Sequence, residues 1–344
     1  MPMKMTRATR NKLIITGVFT ALGVVVGAAF SVAMGRWPLL FSIMYGGTLG
    51  GVIAGIVTAL EFFVAEVYLD RGPLRLPFWE AFLLRTIAYG LVVVLGIAFI
   101  TSVIFRIPGT FEDPDLGISL LFSLAAIAFG NAALGIARLI GPRTLLFYIT
   151  GRYYNPHQEW RILMFLDIAQ STTLAEEIGD VRFHAILTDI FERLSYVVDE
   201  NGGEVHDYVG DEMIATWHVG NKEDNARAIE CAFACFDAIA AQAPHFQKRH
   251  GVVPAFRVGM HLGSIVAGEV GGMKQTIVYV GDAMNTAARI EQSCREEGRS
   301  FIVSREVMDA SALPEGVQSE SLGIKRLRGR SLPVELFALT RNSG

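Results

Sequence analysis

The chain has 344 residues, 51% of them hydrophobic and 19% charged, with a mean hydropathy of +0.39 and a formal net charge of −4. That balance excludes an ordinary soluble enzyme, which is less apolar, and a protein lying wholly in a membrane, which is less charged. Residues 1–150 carry a net positive charge and residues 151–344 a net negative one, so the chain divides near Gly151, and the acidic second part excludes the basic face of a general nucleic-acid binder.

Four stretches run without a charge for a bilayer's worth of residues: Leu13–Gly35, Trp37–Leu60, Thr86–Phe105 and Leu116–Ala137. About 20 apolar residues cross the hydrocarbon as a helix, so each predicts a span. The first is too long for a cleavable signal peptide, lacks a small-residue cleavage site, and is followed almost at once by another span. Lys4, Arg7, Arg10 and Lys12 precede span one, Arg71 and Arg75 lie between spans two and three, and Glu112, Asp113 and Asp115 precede span four. Positive charge concentrates on the cytoplasmic side, so both termini are expected there, with the chain a multi-pass protein of the plasma (inner) membrane. Glu61, Glu66 and Arg85 then lie toward one leaflet, either as interfacial side chains reaching water or as a pair. Histidine is absent before His157, which excludes a bis-histidine haem in the membrane half.

The organisation expected is a four-helix transmembrane domain over residues 1–140, a connector over 141–159 and a soluble domain over 160–344. In the connector, Tyr148, Tyr153, Tyr154 and Trp160 read equally as interfacial aromatics or as a signal-transmitting segment, and Pro156 opposes one unbroken helix. Arg161–Ile168 predicts a buried strand ending in Asp167. Ser171 and Thr172 open a helix whose first amides suit an anionic phosphate. An amphipathic helix over Asp180–Glu200 leads to the stretch Gly202–Trp217, two β-rich arms meeting at Gly210-Asp211. A Gly-X pair predicts a type II′ hairpin that displays Asp211 at a rigid tip. Strict alternation puts Val205, Asp207 and Val209 on one face of the first arm and Glu204, His206 and Tyr208 on the other.

A helix over Asn225–Gln242 follows, in which Cys231 and Cys235 stand one turn apart in an Ala-rich run as small buried residues, as in a protein of a reducing compartment. FRVGMHLGSIVAGEVG then predicts two strands joined at Gly263-Ser264. Gln275–Val280 is a short strand leading through Gly281-Asp282 into a helix that carries Asn285 and Arg289 at i and i+4, on one face. Phe301–Val303 and GIKRLRGRSLPVELFAL predict the closing strands and a basic loop.

FLDIAQSTT, YVGDEMIATW, RVGMHLGSIVAGEVG, VGDAMNTAARI and LRGRSLPVELFAL stand in an order and at spacings that resemble the catalytic domain of class III nucleotidyl cyclases, over roughly Trp160–Leu339. The membrane half resembles, more loosely, the multi-span anchors of bacterial cyclases. The resemblance implies an α-helical membrane domain followed by an α+β domain with a ferredoxin-like βαββαβ core and a mostly antiparallel sheet. It implies two Mg²⁺ or Mn²⁺ ions on Asp167 and Asp211, with the Ile168 carbonyl as a further oxygen ligand. Asn285 matches the residue that orients the ribose, Arg289 the one that stabilises the transition state, and Arg328 a cation on the terminal phosphates. It also implies a homodimer, with the two aspartates of each site from one chain and the Asn and Arg from the other.

Adenylyl relatives usually place Lys where this chain has Asp207, and Asp or Thr where it has Val278. Guanylyl relatives carry Glu at the first of these positions, so Asp207 is chemically nearer to guanine, while Val278 contacts neither base polarly. Replacement of Asp207 by its neighbour His206 is not expected, because the turn fixes the register. The reading adopted is an adenylate cyclase acting on ATP. A guanylate cyclase acting on GTP and a nucleotide-binding membrane receptor without turnover are the alternatives. A diguanylate cyclase fits less well because the GGDEF signature is missing around Gly210-Asp211-Glu212.

Overall fold

The computed structural model describes residues 7–70, 76–107, 116–328 and 332–341. The chain forms two compact units, Met1–Ile149 and Thr150–Gly344.

The first unit contains α1 (Arg7–Ala33), α2 (Leu39–Leu60), α3 (Phe78–Phe99), α4 (Leu116–Ile140) and most of α5 (Pro142–Thr150). Helices α2 and α3 continue as π-helical turns, Glu61–Asp70 and Ile100–Ile104. Lys12–Ala33, Leu39–Ala65, Phe78–Ile104 and Leu116–Ile136 are long and apolar enough to cross a membrane. Helices α1 and α2 approach backbone to backbone: a Cβ on Gly27 would lie 2.2 Å from the Gly46 carbonyl oxygen, and one on Gly50 2.1 Å from that of Gly23. In lipid, where apolar side chains gain little by leaving their solvent, such close packing is what holds helices together. Glu61 is 1% exposed, lies 3.5 Å from Arg85 and accepts a hydrogen bond from the Tyr89 hydroxyl. These charges are therefore buried as a pair, the arrangement that makes an ionised group tolerable away from water. The side chains of Arg7, Arg10 and Glu66, and residues Lys4, Arg71, Arg75, Glu112, Asp113 and Asp115, lie outside the described residues.

The second unit runs β1 (His157–Ile168), α6 (Ser171–Ile178), α7 (Asp180–Glu200), β2 (Glu204–Val209), β3 (Glu212–His218), α8 (Lys222–Ala241), α9 (Ala243–His250), β4 (Phe256–Val270), β5 (Thr276–Val280), α10 (Asp282–Glu297), β6 (Phe301–Ser304), α11 (Arg305–Ala310), β7 (Val317–Lys325) and β8 (Val334–Arg341). The sheet order is β2-β3-β1-β4-β6-β8-β7, with β5 on β4, and only the β4–β6 pairing is parallel. Its first four strands, with α7 and α8, make the βαββαβ core. Alternation along β1 explains the layers. Ile162, Met164, Leu166 and Ile168 face α7 and α8, where they meet Ile186, Ile190, Leu194, Ala228 and Ala232. Arg161, Leu163, Phe165 and Asp167 face the other way.

That other face carries α10, and the sequence shows why a helix fits so closely. A Cβ on Gly259 would lie 2.2 Å from the Glu291 amide nitrogen, and one on Gly263 2.6 Å from the Ala283 Cβ. These glycines are therefore contact points and not turn residues. The expected break at Gly263-Ser264 does not occur, and β4 runs unbroken from Phe256 to Val270.

The hairpin also departs from strict alternation. Val205 pairs with Ala215 but Asp207 with Ile214, so His206 is the extra residue of a β-bulge. Val205 and Tyr208 consequently share the helix-covered face, with the Tyr208 ring 4.9 Å from that of Phe191, while Glu204, Asp207 and Val209 take the other. The turn is as predicted. Gly210 has φ +65° and Asp211 keeps a negative φ, the type II′ combination.

Candidate active site

At one end of the α10 face, Asp167 is the penultimate residue of β1 and Asp211 lies in the turn of the β2–β3 hairpin. The ladder pairs Asp167 with Glu212, so the hairpin tip brings the Asp211 carboxyl within hydrogen-bond reach of Asp167. Asp167 also pairs with Arg257 on β4, whose Nη2 lies 2.8 Å from Asp167 Oδ2 while its Nε lies 3.3 Å from Glu291 Oε1. Asp167 and Glu291 thus share one guanidinium, with Asp211 beside Asp167 and Glu212 opposite it on β3.

The electrostatic consequence is a set of carboxyls held above their ordinary range. Burial, with the neighbouring Asp211 next, raises Asp167 to about 6 against the opposing pull of Arg257. Burial followed by the charges of Glu291, Asp167 and Asp211 raises Glu212 to about 8. Glu291 is raised to about 7 by burial and then by Asp167. A site that makes its own carboxylates costly to ionise is short of positive charge.

Cations are what this donor set fits. Among the described residues no three His, Cys, Asp or Glu side chains form a metal site by themselves. Mg²⁺ and Mn²⁺ do not need one, because they take one or two carboxylates and complete their shell with water and substrate phosphate. Phosphate has a place nearby. Gln170, at φ +58°, turns the chain from β1 into α6, and the first helical bond runs from the Leu174 amide to the Gln170 carbonyl. The amides of Ser171 and Thr172 therefore have no acceptor within the helix and lie four and five residues after Asp167.

Asn285 and Arg289 lie one turn apart on α10, exposed and half-buried respectively, and no hydrogen bond or ion pair among the described residues joins either to Asp167 or Asp211. Ile168 is buried at the end of β1, and Arg328 is exposed beyond β7. Val278 lies on β5 opposite Gly268. Asp207 is exposed, and its Oδ1 accepts the Tyr208 amide at 2.8 Å.

Sequence reasoning missed Arg257, Glu212 and Glu291. Glu291 had a signal: it falls on the same stripe of α10 as Ala283, Ala287, Ile290 and Cys294, all buried, where a charge needs a partner. It also missed a second cluster on the same face, about 20 Å away by the six-residue separation along β1. Arg161, with no exposed surface, lies 2.8 Å from Glu159 and 3.5 Å from Glu204, and donates to the Tyr153 hydroxyl at 3.0 Å. Its guanidinium stands 5.6 Å from the centre of the Tyr279 ring, on which His206 stacks at 3.9 Å. Tyr153 is therefore a core residue of the second unit and not an interfacial aromatic.

The adenylate and guanylate cyclase catalytic domain family matches residues 153–341. Adenylate cyclase 2 of Rhizobium meliloti (strain 1021) is 35% identical over 271 residues, covering 76% of this chain and 74% of that protein. That alignment is longer than the second unit, so the likeness extends into the first. Adenylate cyclase 1 of the same organism is 28% identical over 198 residues, 55% of this chain and 29% of that protein. Guanylate cyclase 2D of Rattus norvegicus is 28% identical over 184 residues, 53% of this chain and 16% of that protein. Among solved structures, a bacterial light-regulated adenylyl cyclase shares the fold with a TM-score of 0.56 at 19% identity, over 68% of each chain.

Proposed function

The chain belongs to the adenylate and guanylate cyclase family, and on that premise we propose that it is a membrane-anchored adenylate cyclase, converting ATP to 3′,5′-cyclic AMP and pyrophosphate at sites shared by two copies of the chain. The observation that carries this reading is the group of carboxylates Asp167, Asp211, Glu212 and Glu291, two of them paired with Arg257, at a strand end that leads into the first amides of α6. The likeness to adenylate cyclase 2 of Rhizobium meliloti, which extends beyond the catalytic unit, supports adenine over guanine.

In the reaction the ribose 3′-oxygen bonds to the α-phosphorus, the bond to the β-phosphate oxygen breaks, and the 3′-hydroxyl proton is lost. Divalent cations held by Asp167, Asp211 and the Ile168 carbonyl would neutralise triphosphate charge and lower the pKa of that hydroxyl. The residues of the chain do the rest. The Ser171 and Thr172 amides receive phosphate oxygens, and Arg328 holds the terminal phosphates. Asn285 orients the ribose, and Arg289 stabilises charge on the five-coordinate phosphorus. Among the described residues no hydrogen bond or ion pair joins Asn285 or Arg289 to the aspartates of their own chain, which supports their acting on those of a second copy. The four spans anchor the catalytic unit to the cytoplasmic face of the plasma membrane, with both termini on that side.

A guanylate cyclase is the second reading, and one observation favours it: Asp207 can only accept hydrogen bonds, which suits the N1–H and amino group of guanine. The deciding experiment offers ATP and GTP together to the full chain in lipid nanodiscs with Mn²⁺ or Mg²⁺, with products resolved by mass spectrometry. Cyclic AMP in excess supports the proposal and cyclic GMP in excess supports the alternative. Neither product, from a chain that still binds nucleotide, points to the receptor without turnover.

A further inference from the structure

An adenine-selecting site needs a donor for adenine N1. Neither residue expected to read the base can supply one. Asp207 is an acceptor when ionised and is turned back onto the Tyr208 amide, and Val278 has no polar side-chain atom. The structure instead brings a neighbour of each together, His206 before Asp207 and Tyr279 after Val278. The bulge frees His206 from the β2–β3 ladder, and its ring stacks on that of Tyr279 at 3.9 Å with 7° between the planes. Tyr279 faces the opposite side of β5 from Val278, so it is Tyr279 that β5 turns toward β2.

Beneath the stack lies Arg161. It holds β2 through Glu204, two residues before His206, and it holds β5 through the face of Tyr279. Arg161 thus ties together the strand that carries His206 and the ring on which His206 stacks. Burial, ahead of all charges, lowers the His206 pKa, so the imidazole is neutral and offers one N–H and one bare nitrogen.

We propose that His206, held by its stack on Tyr279, is the specificity-determining residue that donates to adenine N1, in place of Asp207 and Val278. The proposal rests on the cyclase reading above. It accounts for adenine selection in a site whose two expected base readers carry the wrong chemistry for it.

The test measures kcat/KM for ATP and for GTP with the full chain in nanodiscs, because a ratio of two substrates on one preparation is insensitive to the folded fraction. His206→Ala should lower the ATP:GTP ratio about tenfold or more, the cost of leaving a polar group of the base unpaired. His206→Gln, which keeps a neutral donor, should recover part of it. Asp207→Ala should leave the ratio within about threefold, and Tyr279→Phe, which keeps the stack and loses the hydroxyl, should do the same. A ratio unmoved by His206→Ala but shifted by Asp207→Ala or Tyr279→Phe overturns the assignment of His206 while leaving the cyclase reading intact. A wild-type chain that forms no cyclic nucleotide overturns both.

Discussion

Two polar clusters sit on the same face of one sheet, and they are built on opposite principles. At the Arg161 end, one fully buried cation is met by two carboxylates, a hydroxyl and a ring face. At the Asp167 end, one guanidinium pairs with two of four neighbouring carboxylates, and three of the four lie above the ordinary carboxylate range. The first cluster is closed, and a closed cluster in low dielectric fixes geometry. The second is open, and its surplus of negative charge is a capacity to take up cations. Strand β1 carries both, so the closed cluster serves as the fixed point from which the open one is displayed.

The largest effect should come from removing the open cluster's binding capacity. Asp167→Ala or Asp211→Ala should lower cyclase activity by about three orders of magnitude or more, since on the proposed mechanism these carboxylates would hold the cations that offset the triphosphate charge. Mixing inactive Asp211→Ala and Arg289→Ala chains should restore part of the activity, because one shared site of the heterodimer is then complete. Heterodimers that form and stay inactive would mean that each chain builds its site alone. The closed cluster should answer differently. Arg161→Met removes the buried cation that Glu159 and Glu204 share and should cost about 3 kcal/mol in stability by urea denaturation. Adding Glu204→Gln should return part of that loss. If Arg161→Met is neutral, the cluster does not fix the sheet. Gly259→Ala should cost about 2 kcal/mol and displace α10, because its Cβ would strike the Glu291 backbone; full activity with native stability would show that the helix has room to move.

The contrast also explains what was legible in the sequence. Spans, helices and the hairpin turn rest on local signals: apolar length, helical period and a Gly-Asp pair. They were readable from neighbouring residues alone. The placement of Asp167 and Asp211 was readable as well, because one lies at the end of a predicted strand and the other in a predicted turn. The bulge at His206 was not, since it shows only in the pairing of β2 with β3, and the stack on Tyr279 leaves no local mark. Gly263-Ser264 misled for the related reason that a glycine admitting a helix and a glycine making a turn look alike in one dimension. Arg257 and Arg161 read only as charges in apolar strands until the fold supplied their partners.

The smallest expected effect separates the two clusters by pH. In the open cluster Asp167, Glu212 and Glu291 have folded-state pKa values raised to about 6, 8 and 7. Unfolding returns them to the ordinary carboxylate range, so between about pH 4 and 8 the folded chain binds more protons than the unfolded one. Stability from these groups is therefore complete at low pH and is lost as pH rises through the folded values. With EDTA present, the catalytic unit should lose roughly 1 to 3 kcal/mol between pH 5 and 8. Fluorescence of the buried Trp217 can follow it. Mg²⁺ should reverse the loss, and more strongly at pH 8 than at pH 5, because cations bind the ionised carboxylates. A metal-free stability that is flat or rises over this range would mean that Arg257 already balances the cluster, and the distinction between an open and a closed site would fall.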